Sequence, residues 1–180
     1  MIIRLAKPGD APSIAKVHVD SWKTTYKGLI ADSYLEELSY ENRARMWAAA
    51  IERGFEKSCI FVAEVDGEIV GFANGGMERT QKYGIDGELF AIYLLQSYQK
   101  KGIGKKLCTT VAEFLHNKNY QSMLVWVLAN NPSRAFYHSL HPEEIGVEQI
   151  QIGDQSFQEI AYAWKNLKSL LHQKMESKNE

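Results

Sequence analysis

The chain has few cysteines and no excess of charge of either sign, and both shortages narrow what it can be. Only two of its 180 residues are cysteine, Cys59 and Cys108. Both lie in apolar segments without metal-ligand spacing, which argues against a disulfide scaffold or a zinc site. They read as core residues of a protein kept in a reducing compartment. The 21 Lys and Arg are matched by 22 Asp and Glu, for a formal net charge of −1. Such a balance lacks the basic character of a nucleic-acid binder. No apolar run is long enough to span a membrane, and Met1-Ile2-Ile3-Arg4-Leu5 is too short for a secretory core, so the expected address is the cytoplasm. His18, His116, His138, His141 and His172 show no metal or catalytic spacing, and no metal site is expected. Repeats, low-complexity segments and lipidation motifs are absent too.

With 45% hydrophobic and 24% charged residues, the chain is long enough for one domain with a proper core. That domain is expected over residues 1–165, followed by a charged tail over 166–180. Ile2 to Ala6 reads as a strand, Ser13 to Thr24 as a helix, and Ser33 to Arg53 as helix in two pieces around Ser39-Tyr40. Ile60–Val65 and Ile69–Met77 flank Asp66-Gly67, a hairpin signal, and the polar Glu78–Asp86 reads as a surface connection. Strand Glu88–Leu95, helix Lys101–Lys118, strand Met123–Leu128 and helix Pro132–Leu140 follow. Ile145–Ile152 and Phe157–Trp164, joined by Gly153-Asp154, complete the order. Hairpins around a central crossover predict an α+β fold on a mixed sheet.

The most informative stretch is Gln99-Lys100-Lys101-Gly102-Ile103-Gly104, set between an apolar strand and an amphipathic helix. Glycines let the backbone approach a ligand closely, and the first N–H groups of a helix have no intrahelical partner, so this turn suits an anion. Lys100, Lys101, Lys105 and Lys106 add positive charge fit for several phosphates. A dinucleotide site would need an acidic residue at the end of the next strand, where Ala129-Asn130-Asn131 offers none. A Walker loop would close with Gly-Lys-Ser or Gly-Lys-Thr, also absent. A pyrophosphate cradle of another kind remains.

An apolar strand, Gln-x-x-Gly-x-Gly, a helix, a second strand and then Asn130-Asn131-Pro132-Ser133-Arg134-Ala135-Phe136-Tyr137 resembles the GNAT superfamily of N-acetyltransferases. Val17 to Ile30 is similar to a bacterial small-molecule-type subgroup. The resemblance implies acetyl coenzyme A as donor and a primary amine as acceptor, with transfer in a ternary complex. It implies that the turn from Gln99 to Gly104, with Lys105, presents N–H groups to the pyrophosphate. Ile92, Tyr93 and Leu94 are implied to hold the pantetheine arm through their backbone, in a strand splayed from its neighbour. Donors near Leu94 would also polarise the thioester carbonyl. A homodimer is compatible with the family. After the tyrosine, His138 to Glu144 lacks the family's glycines until Gly146, so the acceptor does not carry over from relatives.

The resemblance puts Glu88 where some members hold a glutamate base. By strand parity it shares a face with Phe90, Ile92 and Leu94, turned to a partly apolar cleft that would raise its pKa. The alternative is a solvated residue at a strand start. Tyr137 occupies the position of the acid that protonates the leaving thiolate, or packs beside Phe136 as a helix tyrosine. Asn130, Asn131, Ser133 and Arg134 are candidate coenzyme contacts, with Asn131 equally a helix cap before Pro132. Trp22, Tyr26, Tyr34 and Trp126 are aromatic candidates for the acceptor wall, or core. Two other functions fit the same residues: a non-catalytic acyl-CoA-binding regulatory module, and an acetyltransferase for protein N-termini or lysines.

Overall fold

In a computed structural model that describes residues 1–176, with side chains described to Leu171, the chain starts with β1 (Ile2–Leu5), α1 (Ala11–Thr25), α2 (Asp32–Glu36) and α3 (Tyr40–Glu52). It continues through β2 (Ser58–Val65), β3 (Glu68–Met77), β4 (Gly87–Leu94), α4 (Ile103–Asn117), β5 (Met123–Leu128) and α5 (Arg134–His138). The last elements are β6 (Glu143–Ile152), β7 (Gln155–Trp164) and α6 (Leu167–Glu176). One seven-stranded sheet runs β1-β2-β3-β4-β5-β7-β6. Every neighbouring pair is antiparallel except β4–β5. The expected α+β fold on a mixed sheet is therefore present.

Local chemistry explains the boundaries. Ser39 breaks the helical segment that the apolar spacing spreads from Ser33 to Arg53: its Oγ accepts from Asn42 N at 3.1 Å and caps α3. The helix expected over Lys101–Lys118 begins at Ile103, because Gly102 adopts a left-handed φ of 76° just before it. The helix expected over Pro132–Leu140 is only Arg134–His138.

The sheet is covered on both faces. Ile103, Leu107, Val111 and Leu115 recur at helical spacing on α4 and bury against Leu89, Met123, Val125 and Val127. Full burial of each such side chain contributes about 1.5–3 kcal/mol. On the other face Ile14, Val17, Trp47 and Ile51 of α1 and α3 pack on Ile60, Val62 and Phe72.

The polar Glu78–Asp86 connection runs over the surface as expected, with Arg79 to Lys82 exposed, yet it is pinned from inside: Glu78 is 1% exposed, and its carboxylate accepts from Thr80 N and Oγ1, both at 2.9 Å, and from Gln81 N. Ile85 is buried as well. The segment expected as a charged tail needs correction in its described part, since Leu167 and Leu170 of α6 join the core beside α4. The part of that expectation on residues 177–180 lies outside the described residues. No described helix is long and apolar enough to cross a membrane.

His18 is the least expected occupant of the interior. It is 8% exposed, stacks on Tyr93 at 5.3 Å and accepts from Trp47 Nε1 at 3.2 Å. Burial, with a smaller push from Arg43, lowers its pKa to about 4. An unfolded histidine titrates near 6.5, so on acidification the unfolded chain takes up the proton first. Stability is full above that pH and is lost as pH falls towards the folded value, by up to about 3 kcal/mol. Urea midpoints should therefore drop between pH 6.5 and 4.5. His18→Gln should flatten that drop, and an equally steep fall in the variant would refute the assignment.

Candidate active site

β4 and β5 are paired only at Gly87↔Met123 and Glu88↔Leu124, and then diverge. The gap opens into a cleft of about 870 Å³ lined by Phe90 to Leu94 of β4 and Val125 to Val127 of β5. Its other walls include Ser21 of α1, Tyr26 just after α1, the start of α4, and Tyr137. Leu95 N donates to Val70 O at 2.9 Å, which fixes the antiparallel alternation along β4. By that alternation Ala91 and Tyr93 turn their backbone groups to β3, while Ile92 and Leu94 turn theirs into the gap. The expectation that Tyr93 contributes its backbone is thus corrected; its side chain lines the cleft instead. Leu94 O is already held, by Ser21 Oγ at 3.1 Å and Gln99 Nε2 at 3.3 Å.

The Gln99–Gly104 turn ends at the same cleft. Gln99, Lys100, Gly102, Gly104 and Lys105 line it. The first intrahelical bond is Lys106 N to Gly102 O at 3.2 Å, so the N–H groups just before Lys106 precede the helical ladder. A Cβ on Gly104 would lie 3.2 Å from Phe136 Cε2, so only glycine lets α5 come this close. Two residues of the turn do not line the cleft. The Ile103 side chain is buried in the core at 4% exposure, and the Lys101 ammonium sits 5.2 Å from the Tyr98 ring.

Asn131 does two jobs. Its Oδ1 accepts from Ser133 N at 2.8 Å, and its Nδ2 donates to Tyr26 Oη at 3.3 Å, tying the α5 turn to α1. Asn131 and Ser133 line the cleft, whereas Asn130 borders a separate cavity of about 150 Å³. Arg134 is turned away: it donates to Tyr162 Oη at 2.8 Å and Ala129 O at 3.0 Å, and reaches Glu144. Tyr137 is 6% exposed and stacks on Tyr162 at 6.1 Å. Burial holds its phenol far above the ordinary range, as it does for Tyr93, and raises that of Tyr26, so all three are protonated donors at neutral pH. Of the aromatic candidates, Tyr26 and Trp126 line the cleft. Trp22 and Tyr34 stand behind Tyr26, with the Trp22 ring 4.9 Å from that of Tyr26 and 6.3 Å from that of Tyr34.

Glu88 departs most from expectation. The β3–β4 register slips between Asn74↔Ala91 and Gly75↔Leu89, leaving Phe90 as a bulge. Beyond the bulge parity inverts: Leu89, Ile92 and Leu94 face α4, while Ala91 and Tyr93 face α1 and α3. Glu88 therefore lies on the face opposite Ile92 and Leu94, the reverse of what simple alternation predicts. Its side chain is 1% exposed and clamped by Arg79, from backbone N at 3.2 Å, from Nε at 3.0 Å and from Nη2. The Arg79 guanidinium also lies 5.2 Å from the centre of the Phe90 ring. Arg79 belongs to no motif, and Ser21, though inside the Val17–Ile30 stretch, carries no signal of its own, so sequence reasoning missed both. Among the described residues no three metal-ligating side chains gather.

A splayed parallel pair, donors aimed into the gap and a glycine turn at one end make a cleft suited to an extended ligand with an anionic end. Residues 20–141 match the model of the acetyltransferase (GNAT) family, and the chain belongs to that family of N-acetyltransferases. It is similar to the uncharacterized N-acetyltransferase YuaI of Bacillus subtilis, 40% identical over 93% of this chain and 95% of that one. Its fold is similar to that of a PaiA N-acetyltransferase from Thermoplasma acidophilum crystallised with coenzyme A, with a TM-score of 0.69 and 22% identity over 88% of this chain and 96% of the other. A ribosomal-protein-alanine N-acetyltransferase from Brucella melitensis gives 0.70 and 24%, over 91% and 99%.

Removing Arg79 would leave the buried Glu88 carboxylate uncompensated. Arg79→Ala should destabilise the protein by about 3 kcal/mol, read as a lower Tm and urea midpoint. Adding Glu88→Gln should restore most of the loss. No recovery in the double variant would mean that Arg79 acts through something other than this pair.

Proposed function

We propose that the chain transfers the acetyl group of acetyl-CoA to a primary amine directly, in a ternary complex. The observation that carries this reading is the β4–β5 gap, whose inward-facing backbone meets the Gln99–Gly104 turn at one end and Tyr137 at its side. The crystallised coenzyme A complex of a protein with the same fold supports it.

Ile92 and Leu94 would hold an extended arm through main-chain hydrogen bonds, as a sheet edge accepts a strand. The N–H groups of the turn and the start of α4 would face the pyrophosphate, with Lys100 and Lys105 adding charge. The bound donor supplies an activated acyl group, so no protein nucleophile is required. Both cysteines suit that account: burial raises each thiol to about 12, which keeps it protonated. Leu94 N–H would steady charge developing on the acetyl oxygen. Tyr137, protonated and lining the cleft, would donate to the departing sulphur. Glu88, as clamped by Arg79, has its carboxylate committed elsewhere.

Isothermal calorimetry should detect acetyl-CoA binding, and a coenzyme-release assay over polyamines, amino acids, aminoglycosides and peptides should identify the acceptor class. Binding without turnover of any amine would favour the regulatory-module reading. Tyr137→Phe should lower kcat about 100-fold with acetyl-CoA affinity unchanged, and an unchanged kcat would remove the acid role.

A further inference from the structure

Three carboxylates lie near one another on the α1 face of the sheet, beside the Trp126 wall of the cleft, and two of them are spoken for. Glu88 is held by Arg79. Glu148 of β6 accepts from Lys82 Nζ at 2.5 Å and Tyr83 Oη at 2.8 Å. The third, Glu159 of β7, is half-buried and makes no hydrogen bond or salt bridge to a described residue. Its place follows from the register: Ala161 is paired with Trp126, and Glu159 with Leu128 and Glu148. Cross-strand partners share a face, so Glu159 is the diagonal neighbour of Trp126, a wall of the cleft.

We propose that Glu159 is the carboxylate that receives the acceptor ammonium and removes its proton. The inference rests on the acetyl-transfer reading above. One ammonium proton passes to a Glu159 oxygen, and the freed nitrogen lone pair forms the C–N bond to the acetyl carbon. The C–S bond breaks with its electron pair going to sulphur. The second nitrogen proton replaces the one that Tyr137 gives to that sulphur, and Glu159 releases its proton to water. Atoms and charge balance without a further reactant.

The surroundings suit a base. Desolvation raises the Glu159 pKa first, the neighbouring Glu148 and Glu88 raise it further, and Arg79 opposes them. Tyr83 and Lys82 stand beyond Glu148, and Tyr26 and Tyr34 approach from α1 and α2 around Leu128 and Phe157. A carboxylate shifted upward in this way is a stronger proton acceptor near neutrality, yet remains ionised enough to attract a cation. Trp126, Phe90 and Tyr26 would give the same cation aromatic faces.

The test uses the amine that releases coenzyme fastest with the full-length protein. Glu159→Gln should lower kcat/KM about 100-fold at pH 7 and abolish the acid limb of its pH profile, with acetyl-CoA affinity by calorimetry and Tm unchanged. Glu159→Asp should recover part of the rate. Glu148→Gln removes a like charge and should move the acid limb to lower pH. Wild-type kinetics in Glu159→Gln would overturn the proposal, as would an acid limb lost in Glu88→Gln but kept in Glu159→Gln. Wild-type protein that binds no acetyl-CoA would sink the acetyl-transfer reading itself, an outcome separate from either.

Discussion

The site depends on two neighbouring parallel strands that pair at two positions and then separate. Had β4 and β5 stayed in register, Ile92 and Leu94 would have spent their inward backbone groups on Leu128 and its neighbours, as central strands do. The separation is held from outside the ladder. α4 supports the Leu89, Ile92 and Leu94 side of the gap, and α5 presses Phe136 onto Gly104 at the start of α4. Ser21 of α1 grips Leu94 O, and Asn131 reaches from the α5 turn to Tyr26. Unpaired backbone in a protein interior is costly unless a partner arrives, so the gap is kept open by packing around it.

Much of this was legible because motifs act through backbone, and backbone position follows from residue order. The glycine turn, the strand before it, the helix after it and the tyrosine of α5 lie around one cleft, as their order implies. The failures are equally physical. A bulge is a relation between two strands, and nothing in Glu88-Leu89-Phe90-Ala91 marks the slip against Asn74-Gly75, so simple parity turns Glu88 the wrong way. Lys101, Ile103 and Arg134 occupy motif positions with side chains turned to Tyr98, to the core and to Tyr162. Arg79 and Glu159 belong to no motif, and only the folded register brings them near Trp126 and Phe90.

The charge pattern divides the cleft in two. Lysines and the N–H groups that precede the helical ladder gather where α4 begins, while carboxylates gather on the sheet face towards β6 and β7. A net charge of −1 over the whole chain hides this separation. Aromatic side chains occupy the middle, with Tyr26, Tyr93 and Tyr137 kept neutral by burial.

The two hydrogen bonds on Leu94 O carry a last consequence. A ligand chain lying in the gap finds both a donor and an acceptor at Ile92, but at Leu94 it finds a donor alone, because Ser21 and Gln99 occupy the carbonyl. A chain of amides has a polarity, and only one sense brings its own carbonyl to Leu94 N–H. On the proposed reading the gap would tell head from tail because two side chains, those of Ser21 and Gln99, silence one carbonyl of an otherwise even backbone edge.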